Sequence, residues 1–190
     1  VIGRRTEAQI EAEMEAGDGC LDLTGINAVG ADLHDYSLQN TCWNRSDLRG
    51  AVISDSDVSG TTFDSAILQQ ANLDKVDAQG ASFASANMFG ANLSQSDLSN
   101  ANLLAANMAA SLLQGTNFTD ANLQGANLSQ ATMFGSTLDG ANLLNANLNG
   151  AVLTDVDLSG AENLTAEQVE AALTNGGTKL PEDIDVPPDF

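Results

Sequence analysis

Apolar positions recur every five residues from residue 21 to residue 160 without losing phase. Stepping by fives from Leu73 in both directions gives 28 centre positions, Leu23 to Leu158, and every one is apolar. Seventeen are Leu, and the remainder include Trp43, Phe63, Phe83, Phe118 and three Met. A second series lies two residues before each centre, from Leu21 to Val156. It holds 15 Ala and 8 Ser or Thr, so a small side chain accompanies the large one in most units. The residue between them is Asn or Asp in 18 of the 28 units. A period this regular governs the architecture ahead of any local propensity.

A step of five suits neither ordinary element. On an α-helix it turns about 500°, so an apolar stripe would precess around the axis. On a continuous strand an odd step flips the centre residue to the opposite face each time. Two side chains spaced by two do point the same way on extended backbone. The pattern therefore predicts about three extended residues, a two-residue turn, and repetition, with both series kept inside. Glycines at the last unit position, such as Gly50, Gly60, Gly80 and Gly90, fit the corner.

Units such as Ala91-Asn92-Leu93 and Ala121-Asn122-Leu123 resemble the A(N/D)LXX motif of the pentapeptide-repeat proteins, and the resemblance spans about three quarters of the chain. It implies an all-β solenoid, a right-handed quadrilateral β-helix with four units to each coil. The repeats would then form about seven coils, a rod roughly 34 Å long at the usual spacing between strands. Side chains 20 residues apart stack in that geometry. One inner column reads Leu23, Trp43, Phe63, Phe83, Leu103, Leu123, Leu143, and the small second series leaves room for four large residues per layer.

Three segments follow: an N-terminal capping segment over 1–20, the repeat over 21–160, and a capping helix with extended tail over 161–190. Residues 6–16 read as a short helix, with Thr6 and Gln9 as a capping box and Gly17 as its stop. Thr165 with Gln168 makes a second capping box, and Leu164, Val169, Ala172 and Leu173 form the apolar side of a helix to about Asn175. Helices at both ends would cover the unpaired backbone of the terminal coils and discourage end-on growth, so a monomer is expected in isolation.

The net charge is −20, and between Asp77 and Thr178 there is no Lys or Arg. All eight Glu lie outside the repeat, which uses only Asp. Such a surface argues against binding nucleic acid or anionic lipid, whose phosphates require cations. No apolar run is long enough to insert into a membrane. The chain begins at Val1, which fits a processed or trimmed form, and any signal or transit segment would then be missing from view. Cys20 and Cys42 are separated by nearly one coil, with Cys42 displaced two residues around a corner. That places the pair near the limit of disulfide reach, so two free thiols are the favoured expectation. A bridge would point to an oxidising compartment.

Asp57, Asp77 and Asp97 stack in successive coils, about 5 Å apart. Like charges at that spacing require hydrogen bonds or a cation, and calcium or magnesium is the alternative to carboxylates bonded to backbone N–H groups at their own corners. The latter is favoured, because the columns Asn87, Asn107, Asn127, Asn147 and Asn102, Asn122, Asn142 predict amide ladders that need no ligand. His34, the one histidine, is expected outward and solvated, with no partner for catalysis or metal binding. There is no Ser/His/Asp or Cys/His set, no phosphate-cradling glycine loop and no CxxC, so neither enzymatic activity nor a cofactor is expected. Phe89, Phe134, Leu104 and Leu144 follow centre residues and project outward, which makes them the candidate protein contacts.

The leading function is a non-enzymatic scaffold mediating protein–protein interaction. The resemblance implies a photosynthetic setting, with the thylakoid lumen or a periplasm as the expected compartment and the cytoplasm as the alternative. A photosynthetic membrane complex is then the expected kind of partner. The rival is a DNA-mimicking modulator of DNA gyrase of the quinolone-resistance type. Duplex DNA carries one charge per ~1.7 Å, so four coils would need about 11 charges. Residues 77–157 supply six, all Asp.

Overall fold

In the computed structural model, which describes residues 20–185, the chain winds into a parallel β-helix with four sides. The expected helix over 6–16 lies outside the described residues, as do the last five residues of the tail. β1 (Leu21–Asp22) and β2 (Thr41–Cys42) pair in parallel, Leu21 opposite Thr41. The later units are bridged through their middle residues alone, and each bridge from Asn27–Asp47 to Asn142–Glu162 joins residues 20 apart. Four units therefore close one coil.

The backbone bonds show why the period is five. Within a unit the Ala51 N–H donates to Leu48 O at 3.0 Å, closing a turn at the corner. Between coils the Leu48 N–H donates to Ile67 O at 2.8 Å and the Asp47 N–H to Ile26 O at 2.9 Å. Each short extended segment is thus tied to the coils on both sides, as a parallel ladder requires. The residue before each corner closes, from Gly25 to Asp155, has φ between +55° and +70°. Eleven of these residues are Gly and sixteen are not, so the left-handed corner is imposed by the coil and borne by Asp, Asn, Gln, Ser, Ala, Lys and Arg as well.

Both inner series fill the axis. The centre residues from Leu23 to Leu158 are buried, and most have no exposure at all. Trp43, Phe63 and Phe83 stack face to face, with ring centroids 6.4 and 5.0 Å apart. Buried hydroxyls of the small series have work of their own. Ser96 Oγ donates to Leu73 O at 2.6 Å and accepts the Val76 N–H at 3.2 Å, so it serves the turn of the coil before it. Ser46, Ser56, Thr61 and Thr116 donate to centre carbonyls in the same way. Tyr36 departs from its series: too large for the inside, it is exposed.

After residue 160 the chain makes one further turn without the repeat. Glu162 pairs with Asn142, Leu173 with Val152 and Lys179 with Asp157, the offset growing by one residue at each of the last two steps. The fourth side is covered by α1 (Ala166–Glu170), capped by Thr165 and Gln168 in a reciprocal box. Gln168 Nε2 also donates to Leu143 O at 2.9 Å and Ala146 O at 2.8 Å, satisfying carbonyls of the last repeat coil. Val169 is fully buried over the core, with Leu164 and Ala172 beside it. The helix is shorter than its spacing predicts. It stops at Glu170, and Leu173 rejoins the ladder with its side chain exposed instead of lying on the helix's apolar side.

Candidate functional site: the outer faces of the coil

Three outward positions per unit remain, and the four sides display them as columns. The middle Asn or Asp usually accepts the N–H two residues on, as in Ser129 N–H to Asn127 Oδ1 at 3.1 Å. Asn147, Asn127, Asn107 and Asn87 then form a ladder, the Nδ2 of each of the first three donating to the Oδ1 below at 3.1–3.2 Å. In the other column Asn122 donates to Asn102 at 3.4 Å, whereas Asn142 Oδ1 accepts from Asn163 at 2.9 Å.

The acidic column is paired by the same means. Asp57, Asp77 and Asp97 follow one another through bridges, and each accepts its own corner N–H, at 3.0, 3.2 and 2.9 Å. Gln39 Nε2 donates to Asp57 at 2.6 Å and Gln79 Nε2 to Asp97 at 2.7 Å, while Asn117 Nδ2 reaches Asp97 at 3.0 Å. Partial burial raises the Asp97 pKa, but these donors outweigh it and hold the carboxyl below its ordinary value. Among the described residues no group of three or more His, Cys, Asp or Glu is arranged to hold a metal ion.

His34 is exposed, as expected, and its Nδ1 lies 2.7 Å from Asp32 Oδ1, a bond that raises the imidazole pKa. The partner comes from the repeat itself, because the middle Asp sits two residues before the outward position. The expectation of two free thiols needs correction: Cys20 and Cys42 are joined in a disulfide, with Cα atoms 5.8 Å apart. Cys20 precedes the first unit and does not keep to its grid, so the pair falls well within disulfide reach.

The four candidate contact residues are all exposed, Phe89 by 44%, Leu104 by 40%, Phe134 by 52% and Leu144 by 39%. They do not converge. Leu104 and Leu144 share one column, while Phe89 and Phe134 stand on two others. Phe89 borders a groove of about 410 Å³ with Arg49, Gly50, Gln69 and Gln70. The Arg49 guanidinium there is engaged by Asp47, Nε to Oδ1 at 2.8 Å and Nη2 to Oδ2 at 2.6 Å. Sequence reasoning missed Leu112 and Leu173, both exposed. For Leu112 the available signal was a leucine at the middle unit position, which is Asn or Asp in 18 of the 28 units.

A four-sided parallel coil, two inward series and three outward columns per side define the class of pentapeptide β-helix. The model for pentapeptide repeats matches eight copies over residues 31–162, and the chain belongs to the pentapeptide repeat family, whose members form right-handed quadrilateral β-helices. Among solved structures it is similar to HetL, involved in heterocyst differentiation regulation in Nostoc sp. strain PCC 7120, at 24% identity over 96% of this chain and 94% of that one, TM-score 0.35. A pentapeptide repeat protein from the Arabidopsis thaliana thylakoid lumen is 33% identical over 54% of this chain and 68% of its own, TM-score 0.37. QnrB1, a plasmid-mediated fluoroquinolone resistance protein, is 20% identical over 86% and 92%, TM-score 0.49. No curated protein matches.

Proposed function

We propose that the protein is a non-enzymatic scaffold whose sides dock another protein. The observation that carries this reading is the placement of large apolar side chains, Phe89, Leu104, Phe134 and Leu144, on the outside of a coil whose inner positions are filled. Each stands next to a corner fixed by cross-coil bonds, so little conformational entropy is lost when a partner covers it. The Cys20–Cys42 bridge supports an oxidising compartment, and the thylakoid lumen or a periplasm fits it. The partner class that follows is a membrane complex exposing a domain on that side. Affinity capture with cross-linking from thylakoid-lumenal and thylakoid-membrane fractions is expected to return a discrete partner. Capture of nothing above background sinks the reading.

The gyrase-directed alternative is disfavoured by charge. Of the six Asp in residues 77–157, Asp157 is paired with Lys179 at 2.7 Å and Asp97 is enclosed by Gln79 and Asn117. What remains is far below the density of duplex DNA. Inhibition of gyrase supercoiling at low micromolar protein would reverse the ranking.

A further inference from the structure

One side of the coil departs from the repeat in a patterned way. Its middle column reads Asp32, Val52, Asn72, Asn92, Leu112, Thr132, Val152 and Leu173, each bridged to the next. The lower part, Val52 apart, is conventional: Asn92 Nδ2 donates to Asn72 Oδ1 at 3.1 Å. From Leu112 upward there is no further Asn or Asp, although two other sides carry Asn102–Asn122–Asn142 and Asn107–Asn127–Asn147 at the same height. Leu112 and Val152 can make neither the corner bond nor the ladder bond that an asparagine makes there. Leu112 is 44% exposed and Leu173 58%, with Phe134 at the edge of the same side. Leu112, Phe134 and Leu173 face water, with the partly buried Thr132 and Val152 between them, and apolar side chains grouped where polar ones would add bonds are the mark of a surface that something else covers.

The charge around the strip selects what covers it. Between Asp77 and Thr178 the sequence holds no Lys or Arg. Asp155 follows Val152 at the corner, Glu170 precedes Leu173 by three residues, and among the described residues neither is in an ion pair. A second copy of the chain would bring this acidic half against itself, which like-charge repulsion opposes. We propose that the strip Leu112–Thr132–Val152–Leu173, with Phe134 at its edge, is the docking site for a protein segment that presents apolar side chains between lysines or arginines. The proposal rests on the scaffold reading and specifies its surface and the chemistry of the partner.

The test pans the full chain against a displayed library of random peptides and measures the affinity of enriched sequences by fluorescence anisotropy. Enriched peptides are expected to combine apolar residues with net positive charge. L112N/V152N restores the repeat's own residue, so it folds, as an unchanged or higher melting temperature verifies. That variant should weaken binding about tenfold or more. D155N/E170Q should weaken it about threefold and flatten its dependence on salt. The proposal is overturned if nothing is enriched, if enriched peptides lack positive charge, or if their affinity ignores L112N/V152N. Sedimentation showing a wild-type dimer that L112N/V152N dissolves would assign the strip to a second copy instead. A partner captured equally by wild type and L112N/V152N leaves the scaffold reading standing and removes the strip. Peptide binding with no captured partner supports the strip and sinks the scaffold reading.

Discussion

At Ala105 and Ala110 the backbone is held at φ +55° and +57°, with no polar side chain to bond locally. A Cβ in that region costs about 1–2 kcal/mol. Ala105→Gly removes the cost, while the greater freedom of glycine in the unfolded chain takes back about 0.5–1 kcal/mol. A net gain of about 0.5 kcal/mol is expected, seen as a raised urea midpoint at unchanged slope. Gly50 is the reciprocal case. Its φ is +62° and nothing lies within 4 Å of an added Cβ, so Gly50→Ala should lose about 0.5–1 kcal/mol through the backbone alone. A loss of several kcal/mol there would show that packing, and not φ, dictates the corner.

The elements of this fold are columns, and in the asparagine ladder an inner residue makes three side-chain bonds. Asn127 Oδ1 accepts from Ser129 N–H and Asn147 Nδ2, and its own Nδ2 donates to Asn107. At a net ~0.5–1.5 kcal/mol per bond, Asn127→Ala is expected to cost about 2 kcal/mol by denaturant unfolding. The turn beyond the repeat is tied by a different element, Lys179 Nζ on Asp157 Oδ2 at 2.7 Å. That bond, with two from Ser159, depresses the Asp157 pKa to about 2. A depressed carboxylate contributes stability that is present above its ordinary pKa near 3.8 and lost as pH falls through about 2. Carboxyl NMR should therefore find Asp157 titrating near 2, and Lys179→Ala should return it toward the ordinary range. An unchanged titration in that variant would mean that Ser159 carries the effect. The two inward series were legible, because a period of five leaves no other burial for the leucines, whereas the stacking of columns 20 residues apart was implied by the resemblance to pentapeptide-repeat proteins. What escaped was whatever needs the coil's true register. Leu173 stands four residues after Val169 and reads as helical, yet ladder pairing with Val152 takes precedence over helical spacing once α1 has crossed the core. Leu112, Val152 and Leu173 are separated by 40 and 21 residues and become one strip only when coil closure stacks them.

Across the whole molecule each coil touches only its neighbours, so stability sums along the rod and opening is expected to start at an end. The two ends are secured differently. The last coil is covered by α1, whose Val169 is fully buried, and by Leu180 and Ile184 packed against the core. At the other end Leu21, Leu23 and Ala28 retain a few per cent exposure while centre residues from Trp43 to Met133 have none, and the Cys20–Cys42 bridge links the start of the coil to its second turn. Closing a loop with a sequence separation of 22 is worth about 3 kcal/mol in the chain-entropy picture. Because that constraint acts on one end of a rod with nearest-neighbour contacts, its loss should not lower protection everywhere. Reduction with dithiothreitol, or the C20S/C42S variant, is expected to release amide hydrogens such as those of Leu23, Ala28 and Leu33 to exchange, while those of Leu103 to Leu128 stay protected. The stacked Trp43–Phe63–Phe83 column should mark where the fraying stops, since breaking into it exposes three aromatic faces at once. Uniform loss of protection from end to end would show the rod to be one cooperative unit and the bridge a global clamp.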